Sequence, residues 1–239
     1  MDSRSFPSTT LIGRLLRLPL RALSPNAMVR VLCGPARGMK WVAHSGNHGF
    51  WMGLHEPKKR QQLMSVLNIA SVFYDIGANV GYYTLPAACL ARLVIAFEPN
   101  PRNTAYLYKH LHLNNVSNVQ VIEAAIGDCD GEALFNSDPG PGMGHIDKIG
   151  AKVSLVRIDT LVSSGTIPPP DAIEMDIEGG ELAALVGGRE TLERYRPILF
   201  LSTHGHEIRE RCHEFLSSLG YEIEGTESHE AICRPRPST

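Results

Sequence analysis

The sequence predicts an α/β fold of Rossmann-like type, with a seven-stranded, mostly parallel sheet and helices on both of its faces. Short apolar runs alternate with helical patterns along the chain, which is typical of parallel βαβ units. One run ends in Asp75 and is followed by a turn with Gly77 and Gly81. The next run ends in Glu98, about 20 residues beyond the first glycine. This layout suits a nucleoside that lies across the carboxyl ends of two neighbouring strands.

Five apolar segments account for the parallel strands. Each is rich in valine, isoleucine, leucine or phenylalanine, as buried strands are. These predicted strands are residues 71–76, 93–98, 119–124, 172–177 and 198–203. Residues 221–224 and 231–234 are expected to add an antiparallel last pair, which completes the seven strands.

Helical patterns and turn residues fill the intervals between the strands. Residues 102–113 are predicted to form an amphipathic helix, because Leu107 and Leu111 are four residues apart. Residues 207–219 are predicted to form a second helix that ends at Gly220. The remaining predictions are a hairpin within 29–42, a helix whose first turn contains Pro57, and a long excursion over 127–170.

Length and composition indicate one compact α/β domain. The chain has 239 residues, of which 43% are hydrophobic, and this is enough for one full core. We place the domain at 29–234, between an amphipathic N-terminal arm at 1–28 and a flexible tail at 235–239. The net charge of −2 argues against a nucleic-acid substrate. The five cysteines lack zinc-site spacing and are expected to be free thiols in a reducing, cytoplasmic compartment.

The segment 11–23 is apolar and carries Arg14, Arg17 and Arg21 at roughly helical spacing. Such a segment can lie on an anionic membrane surface, which would make the protein peripheral to a membrane. A packing arm or a contact with a partner helix is the favoured alternative, because Pro19 interrupts a short stretch. No apolar run approaches the roughly 18 residues that a membrane span needs.

The turn after Asp75 favours S-adenosylmethionine over a dinucleotide. A dinucleotide turn follows the pattern Gly-x-Gly-x-x-Gly, whereas here the spacing is Gly77-x-x-x-Gly81. The Asp75 carboxylate would repel a pyrophosphate but suits the ammonium group of a methionine. Glu98 offers paired acceptors for the two ribose hydroxyls. The predicted cofactor-binding residues are Asp75, Gly77, Ala78, Asn79, Gly81, Tyr82, Glu98, Pro99, Ala125 and Asp128.

Position suggests roles within this set. The backbone from Gly77 to Gly81 would approach the methionine portion, because glycine lets the chain come close. Asp75 or Asn79 would hold the ammonium group, directly or through water. Asp128 would accept a hydrogen bond from the adenine amine, with a plain turn role as the alternative. Pro99 is more typical of a turn former than of a ligand.

Three motifs in this order resemble those of the FkbM-type S-adenosylmethionine-dependent methyltransferases. They are Asp75-Ile-Gly-Ala-Asn-Val-Gly-Tyr-Tyr-Thr-Leu85, Ala96-Phe-Glu-Pro99 and Met175-Asp-Ile-Glu-Gly-Gly-Glu181. The resemblance runs from about Gly34 to about Tyr221, and it implies a class I methyltransferase fold. It also implies O-methylation of a sugar, a glycan or glycolipid, or a polyketide-like natural product. Methylation of a carboxylate, another small molecule or a protein stays open, as does a nucleotide-binding protein without methyltransferase activity.

Asp176, Glu178 and His204 are the predicted catalytic residues. They follow strands at the same sheet edge as the cofactor motifs. Methyl transfer to a hydroxyl benefits from a base, and a neutral imidazole oriented by Asp176 or Glu178 would supply one. Glu181 is expected to cap the next helix. The three catalytic candidates would also suit Mg²⁺, yet we expect a site without metal because tight ligand spacing is absent.

Two positions depart from the usual FkbM-like pattern. A lysine commonly stands two residues before the strand-four aspartate, where this chain has Glu174. A glutamate commonly stands two residues before the strand-five histidine, where this chain has Ser202. Both differences leave open how the catalytic residues act together and which acceptor is methylated.

Trp51, Glu56 and His145 are the predicted acceptor-binding residues. Trp51 offers a face for a sugar ring and Glu56 a contact for a hydroxyl, with ordinary packing as the alternative. His145 ends a loop at 138–145 that is rich in glycine and proline. This loop is expected to be a mobile lid over the site, with a plain surface loop as the alternative.

Overall fold

The computed structural model describes residues 23–24, 26–138, 144–225 and 229–237. The strands in these ranges are β1 (Met28–Arg30), β2 (Lys40–Val42), β3 (Val72–Ile76), β4 (Leu93–Phe97), β5 (Val119–Ile122), β6 (Ala124–Ile126), β7 (Gly131–Asn136), β8 (His145–Asp147), β9 (Ala151–Val156), β10 (Ala172–Met175), β11 (Ile198–Ser202), β12 (Tyr221–Gly225) and β13 (Glu230–Pro235). The helices are α1 (His48–Met52), α2 (Pro57–Ser65), α3 (Thr84–Ala88), α4 (Pro101–Leu113), α5 (Ile158–Ser163), α6 (Glu181–Gly187), α7 (Arg189–Tyr195) and α8 (His206–Ser218).

The central sheet has seven strands in the order β12-β13-β11-β10-β3-β4-β5. β11, β10, β3, β4 and β5 pair in parallel, and β13 pairs antiparallel with β11 and with β12. The predicted fold class, with its antiparallel last pair, is confirmed. The strand order reverses between β3 and β10, which is where ligands bind in open parallel sheets.

Side chains alternate between the two faces of the sheet along each strand, and different helices pack against each face. Tyr74 and Ile76 of β3 pack with buried leucines of α6, α7 and α8. Phe73 packs on the opposite face with side chains of α2 and α3. Asp75 has the same parity as Phe73, so its carboxylate lies on the α2 and α3 side of the sheet.

The predicted excursion over 127–170 contains most of a second sheet, with four strands in the order β6-β9-β7-β8. β6 pairs in parallel with β9, and β7 pairs antiparallel with β8 and β9. The single strand predicted at 119–124 is therefore two strands in different sheets, joined at Glu123. The apolar pattern continues almost without a break through Ile126, so periodicity alone does not show this change of sheet.

The predicted hairpin is present as β1 and β2, and it packs against α4. The backbone N–H of Val42 donates to Nε2 of His110 over 3.0 Å, and Nδ1 of His110 lies 2.8 Å from the carbonyl oxygen of Val80. Because Nε2 accepts, Nδ1 carries the proton. The Trp41 ring stacks on this imidazole with 4.0 Å between ring centroids. Burial lowers the pKa of His110 to about 4, so a neutral imidazole holds the hairpin in place.

Several predicted segments fall wholly or partly outside the described residues. Of the arm, only residues 23–24 and 26–28 are described, the loop at 138–145 lacks 139–143, and the tail is described to residue 237. Membrane or partner contact by 11–23 and closure by a lid stay predictions. Within the described ranges, no helix is long and apolar enough to cross a membrane. The five cysteines are unpaired thiols.

Candidate active site

Two adjoining cavities open at the carboxyl ends of β3, β4, β10 and β11. Gly77, Asn79, Asp176 and Glu178 border both of them. The first cavity is also lined by Ile76, Phe97, Glu98, Pro99, Asn103, Ala124, Ala125, Ile126, Phe135, Gly144, Ile146, Ile177 and Gly180. The second cavity is also lined by His44, Ser45, Gly46, Asn47, Phe50, His55, Glu56, Ala78, Tyr82, Tyr83, Arg102, Glu174, Ser202, His204 and His229.

The turn after β3 needs glycine at two positions. Gly77 has a φ of +92°, and a Cβ on it would overlap the backbone carbonyl oxygen of Asp176. Gly81 has a φ of +97°, and a Cβ there would lie 2.7 Å from Leu85 and 2.8 Å from Leu107. The first glycine therefore allows the end of β10 to approach the turn, and the second allows α3 and α4 to pack against it.

Asp75 is completely buried beneath this turn. Its Oδ2 accepts a short hydrogen bond from the Thr84 hydroxyl, and its Oδ1 has no partner among the described residues. Burial raises the pKa of Asp75 to about 6. Asp75 does not line either cavity itself, so of the two predicted contacts with an ammonium group the one through water suits its position.

Glu98 lines the first cavity and is held by backbone groups. Its Oε2 accepts from the N–H of Asn79 and its Oε1 from the N–H of Asn100, each over 2.8 Å. Burial raises the pKa of Glu98 to about 7, although these N–H groups and Asn103 oppose the shift. The Asn103 side chain adds a third hydrogen bond to this carboxylate. Since a carboxylate has about four acceptor positions, the side chain is fixed in place and keeps acceptor capacity for a ligand hydroxyl.

The other predicted cofactor residues are distributed over both cavities. Pro99 and Ala125 line the first cavity, whereas Ala78 and Tyr82 line the second. The Tyr82 hydroxyl donates to the carbonyl oxygen of His55 and accepts from Arg60. Gly81 lines neither cavity. Asp128 is exposed and also lines neither, so the structure does not bring it to the adenine position predicted for it.

Asp176, Glu178 and His204 come together at the boundary of the two cavities. Nε2 of His204 lies 3.6 Å from Oδ1 of Asp176 and 3.4 Å from Oε2 of Glu178. Each side chain is about one-third exposed. Glu178 has a φ of +51°, which is uncommon for a residue with a Cβ and marks a constrained turn. Residues from two strand ends thus converge on one point, as their positions after parallel strands predict.

Glu181 orients His204, and sequence analysis missed this role. Glu181 is completely buried, and its Oε1 accepts from Nδ1 of His204 over 2.7 Å and from the N–H of Gly179 over 3.0 Å. The expected cap is present only as the bond to Gly179, before α6 begins. Since Nδ1 donates to Glu181, Nε2 is the nitrogen that faces Asp176 and Glu178. The available signal was a third acidic residue in the motif from Met175 to Glu181.

The charges around His204 set its protonation. The hydrogen bond to Glu181 raises the pKa of His204, and Asp176 and Glu178 add to this against the effect of burial. Burial also raises the pKa of Glu178, with Asp176 and Glu181 acting in the same direction and His204 opposing them. The cluster is therefore well suited to hold one additional proton on Nε2.

Lys59 of α2 is a second residue that sequence analysis missed. It is 5% exposed, and its Nζ donates over 2.7 Å to Oε1 of Glu174 and over 2.7 Å to the hydroxyl of Ser202. Burial acts to lower the pKa of Lys59, but the attraction of Glu174, Asp176 and Glu56 raises it, so the ammonium is charged. The two positions that depart from the usual FkbM-like pattern are thus joined by a lysine from another part of the chain.

The predicted acceptor-binding residues have different surroundings. Glu56 lines the second cavity, and its Oε2 accepts from the Tyr83 hydroxyl over 2.6 Å. Burial favours a higher pKa for Glu56, but Lys59, His55 and Tyr83 together lower it, so it is ionised.

Trp51 is buried in a cluster with Val31, Ala36 and Trp41 and lines neither cavity. Its ring therefore packs in the core and does not face either cavity. His145 lies 3.6 Å from Asp147, and its neighbours Gly144 and Ile146 line the first cavity rather than the second.

The spacing of the boundary cluster would also fit a metal ion. One ligand atom each from Asp176, Glu178 and His204 lies within 4.8 Å of the others. The sequence does not show this spacing, because the ligands follow two different strands. The expectation of a site without metal stays a prediction.

The sequence of this chain is similar to those of known methyltransferases. The family model for the methyltransferase FkbM domain matches residues 75–223. The hexuronic acid methyltransferase AglP of Haloferax volcanii is 29% identical over 125 residues, which cover 51% of this chain and 52% of that protein. The 2-O-methyltransferase NoeI of Sinorhizobium fredii is 27% identical over 178 residues, which cover 62% of this chain and 72% of that protein.

A solved structure of a methyltransferase FkbM from Methylobacillus flagellatus KT has a similar fold. The TM-score is 0.53 at 19% identity, over 76% of this chain and 51% of that one. The chain thus spans about half the length of AglP and of the Methylobacillus protein.

Proposed function

The chain belongs to the FkbM methyltransferase domain family, and on this premise we propose that it is an S-adenosylmethionine-dependent O-methyltransferase. We propose as its acceptor a hydroxyl of a sugar, a glycan or glycolipid, or a polyketide-like natural product. The observation that carries the proposal is the position of Asp176, Glu178 and His204. They lie where a cavity lined by the cofactor motifs meets a second cavity with polar walls.

The first cavity suits the adenosine part of the cofactor. Glu98 is fixed by two backbone N–H groups and the Asn103 side chain, and its free acceptor position would face the ribose hydroxyls. Ala124, Ala125 and Ile126 supply an apolar wall for an adenine ring. The backbone at Gly77 and Asn79 borders both cavities, so the methionine part of the cofactor would carry its methyl group to the boundary.

The second cavity suits the acceptor, and the cluster at the boundary suits the reaction. The bound cofactor would supply its methyl group to the acceptor oxygen, and the electron pair of the broken carbon–sulfur bond would stay on its sulfur. The acceptor proton would pass to Nε2 of His204, and Asp176 and Glu178 would stabilise the imidazolium. Glu181 holds the ring by Nδ1 throughout.

Known relatives support a sugar acceptor. One similar protein is a hexuronic acid methyltransferase and another is a 2-O-methyltransferase, both at under 30% identity. The second cavity combines polar side chains with the aromatic rings of Phe50, Tyr82 and Tyr83, and a sugar can use both its hydroxyls and its apolar ring face in such a site.

Calorimetric titration with S-adenosylhomocysteine tests the cofactor, with NAD⁺ as the competing ligand. We expect micromolar binding of S-adenosylhomocysteine to the full chain. Glu98→Ala should abolish this binding, whereas Glu98→Gln should retain part of it because an amide oxygen still accepts. Tighter binding of NAD⁺, or affinity unchanged in Glu98→Ala, would contradict the proposed cofactor site.

A further inference from the structure

Glu174 and Ser202 form the floor of the second cavity, and Lys59 holds both of them without bordering the cavity itself. Glu174 is 1% exposed and Ser202 is 2% exposed, and both receive a hydrogen bond from Lys59. Oε2 of Glu174 is buried and has no hydrogen-bond partner in the part of the chain that the structure describes. An unpaired buried acceptor is destabilising, and a donor that enters the cavity would remove this cost.

This floor lies directly below the reacting groups. Glu174 and Asp176 are two residues apart at the end of β10, and Ser202 and His204 are two residues apart at the end of β11. All four residues line the second cavity, and two residues of extended chain span about 6.6 Å. An acceptor with one hydroxyl at His204 would therefore direct a second substituent towards Glu174.

The floor presents an acceptor oxygen rather than a cation. Both short contacts of Lys59 are to Glu174 and Ser202, so its charge is already engaged. Glu56, Asp176 and Glu178 also border the second cavity and add negative charge. Arg102 borders it as well, but its guanidinium bonds Asn103 and lies over the Tyr106 ring, 4.9 Å from the centroid. His44, His55, His204 and His229 also border the cavity, and His204 must be neutral to act as base. With His204 neutral, a carboxylate on the acceptor would meet repulsion from the acidic side chains.

We propose that Lys59, Glu174 and Ser202 form an acceptor subsite that selects a hydrogen-bond donor, and hence a neutral or amino sugar over a sugar acid. The inference rests on the proposed function and specifies its substrate class. It departs from the substrate of the hexuronic acid methyltransferase to which the chain is similar.

Three matched ligands test this subsite: the methyl glycosides of a neutral hexose, a 2-amino-2-deoxyhexose and a hexuronic acid of the same ring stereochemistry. Their affinities for full-length protein saturated with S-adenosylhomocysteine are measured by ligand-observed NMR titration. We expect the hexuronic acid glycoside to bind at least about tenfold more weakly than the other two, because of charge repulsion.

Lys59→Met combined with Glu174→Gln leaves the net charge unchanged and keeps similar side-chain volumes, but it replaces the acceptor oxygen of Glu174 by an amide group that can also donate to a carboxylate. The preference over the hexuronic acid glycoside should then shrink by at least about threefold, with affinity for S-adenosylhomocysteine unchanged. The control is Lys152→Met with Glu132→Gln, an exposed pair 2.9 Å apart that should leave the preference as in the wild type. Ser202→Ala is a milder variant, and it should weaken binding of the neutral glycoside.

The outcomes separate this inference from the proposed function. Equal or tighter binding of the hexuronic acid glycoside to the wild type overturns the subsite. So does an unchanged preference in the Lys59→Met, Glu174→Gln protein. Binding of none of the three glycosides while S-adenosylhomocysteine binds overturns the sugar acceptor and leaves the cofactor site standing. Failure to bind S-adenosylhomocysteine overturns the proposed function itself.

Discussion

The turn after β3 and the polar group around His204 are encoded in different ways. The turn is one contiguous motif, and its residues contact Glu98 at the end of the adjacent strand. The polar group is assembled from distant parts of the chain, since Lys59 lies 115 residues from Glu174 and 143 from Ser202. A contiguous motif can be identified from one sequence, whereas an assembled site depends on the fold. The difference separates a cofactor half from an acceptor half, and each half can be tested alone.

Removing the proposed base gives the largest expected effect. His204→Ala should lower kcat by about 10²–10⁴-fold, because no general base is left to take the acceptor proton. Affinity for S-adenosylhomocysteine should stay the same, since His204 borders only the second cavity. Single-turnover methylation and calorimetry check the two parts. The control is His206→Ala, an exposed residue paired with Glu210 over 3.3 Å. A matching loss of cofactor affinity would show that the two halves are not independent.

Breaking the buried pair should give the next largest effect. Lys59→Met should lower the free energy of unfolding by about 3–5 kcal/mol, because Glu174 is left buried without its cation. Adding Glu174→Gln should restore most of that loss. Lys152→Met removes an exposed lysine from a similar pair and should cost under about 1 kcal/mol. Urea unfolding measures all of them. Equal losses for the two single lysine variants would mean that the buried pair contributes no more than a surface pair.

Cofactor affinity should depend on pH through Glu98. Its pKa is raised to about 7, and the ribose hydroxyls favour the ionised carboxylate as acceptor. Affinity for S-adenosylhomocysteine should therefore weaken as pH falls through about 7, on the order of tenfold for one charge-assisted hydrogen bond. Calorimetry from pH 6 to 8 follows this change. Glu98→Gln should bind more weakly and flatten the profile, and a slope that survives in this variant would assign the titration to another group.

Glu181→Gln tests the electrostatics of the acceptor half. His204 must be neutral to act as base, so kcat/KM should rise with pH through its pKa, which lies above the usual 6.5. The hydrogen bond to Glu181 is the main cause of that increase. Glutamine keeps an oxygen acceptor for Nδ1 but removes the charge, so the rising limb should move to lower pH. Glu193→Gln changes an exposed residue of α7 and should not move it. If the rising limb of the kcat/KM profile stays at the same pH in Glu181→Gln, the limb does not report the pKa of His204.

Chelation should have the smallest effect of all. If Nε2 of His204 takes a proton, EDTA followed by gel filtration should leave kcat unchanged within error. Mg²⁺ or Mn²⁺ added back should not raise it. A loss on chelation that either ion restores would show that the spacing within 4.8 Å serves a cation and not a base.

Short apolar patterns predicted most of the fold, because the pattern of a strand is contained in the residues of that strand. The five predicted parallel strands agree with β3, β4, β5, β10 and β11 within two residues at each end. The change of sheet at Glu123 escaped prediction because β5 and β6 are both apolar and nearly continuous. Pairing partners decide which sheet a strand joins, and the sequence of one strand does not contain them.

Some residues of the candidate site were also predictable from the sequence, and others were not. Convergence of Asp176, Glu178 and His204 followed from the rule that parallel strands end at one edge. Lys59 and Glu181 were missed because a polar residue on a helix looks the same in sequence whether it faces solvent or a buried acid. Trp51 shows the opposite error, since an aromatic residue near a predicted site proved to be part of the core.

Gly77 has a consequence for anyone who would move this site into another protein. Its missing Cβ accommodates the Asp176 carbonyl oxygen, and the N–H of Asp176 bonds the carbonyl of Ile76 over 3.0 Å. The turn after β3 and the end of β10 therefore need each other for correct packing. If only residues 75–81 were transferred, Gly77 would lack the Asp176 carbonyl oxygen against which it packs. The smallest transplantable piece is both strand ends together, in the register that pairs Glu174 with Asp75.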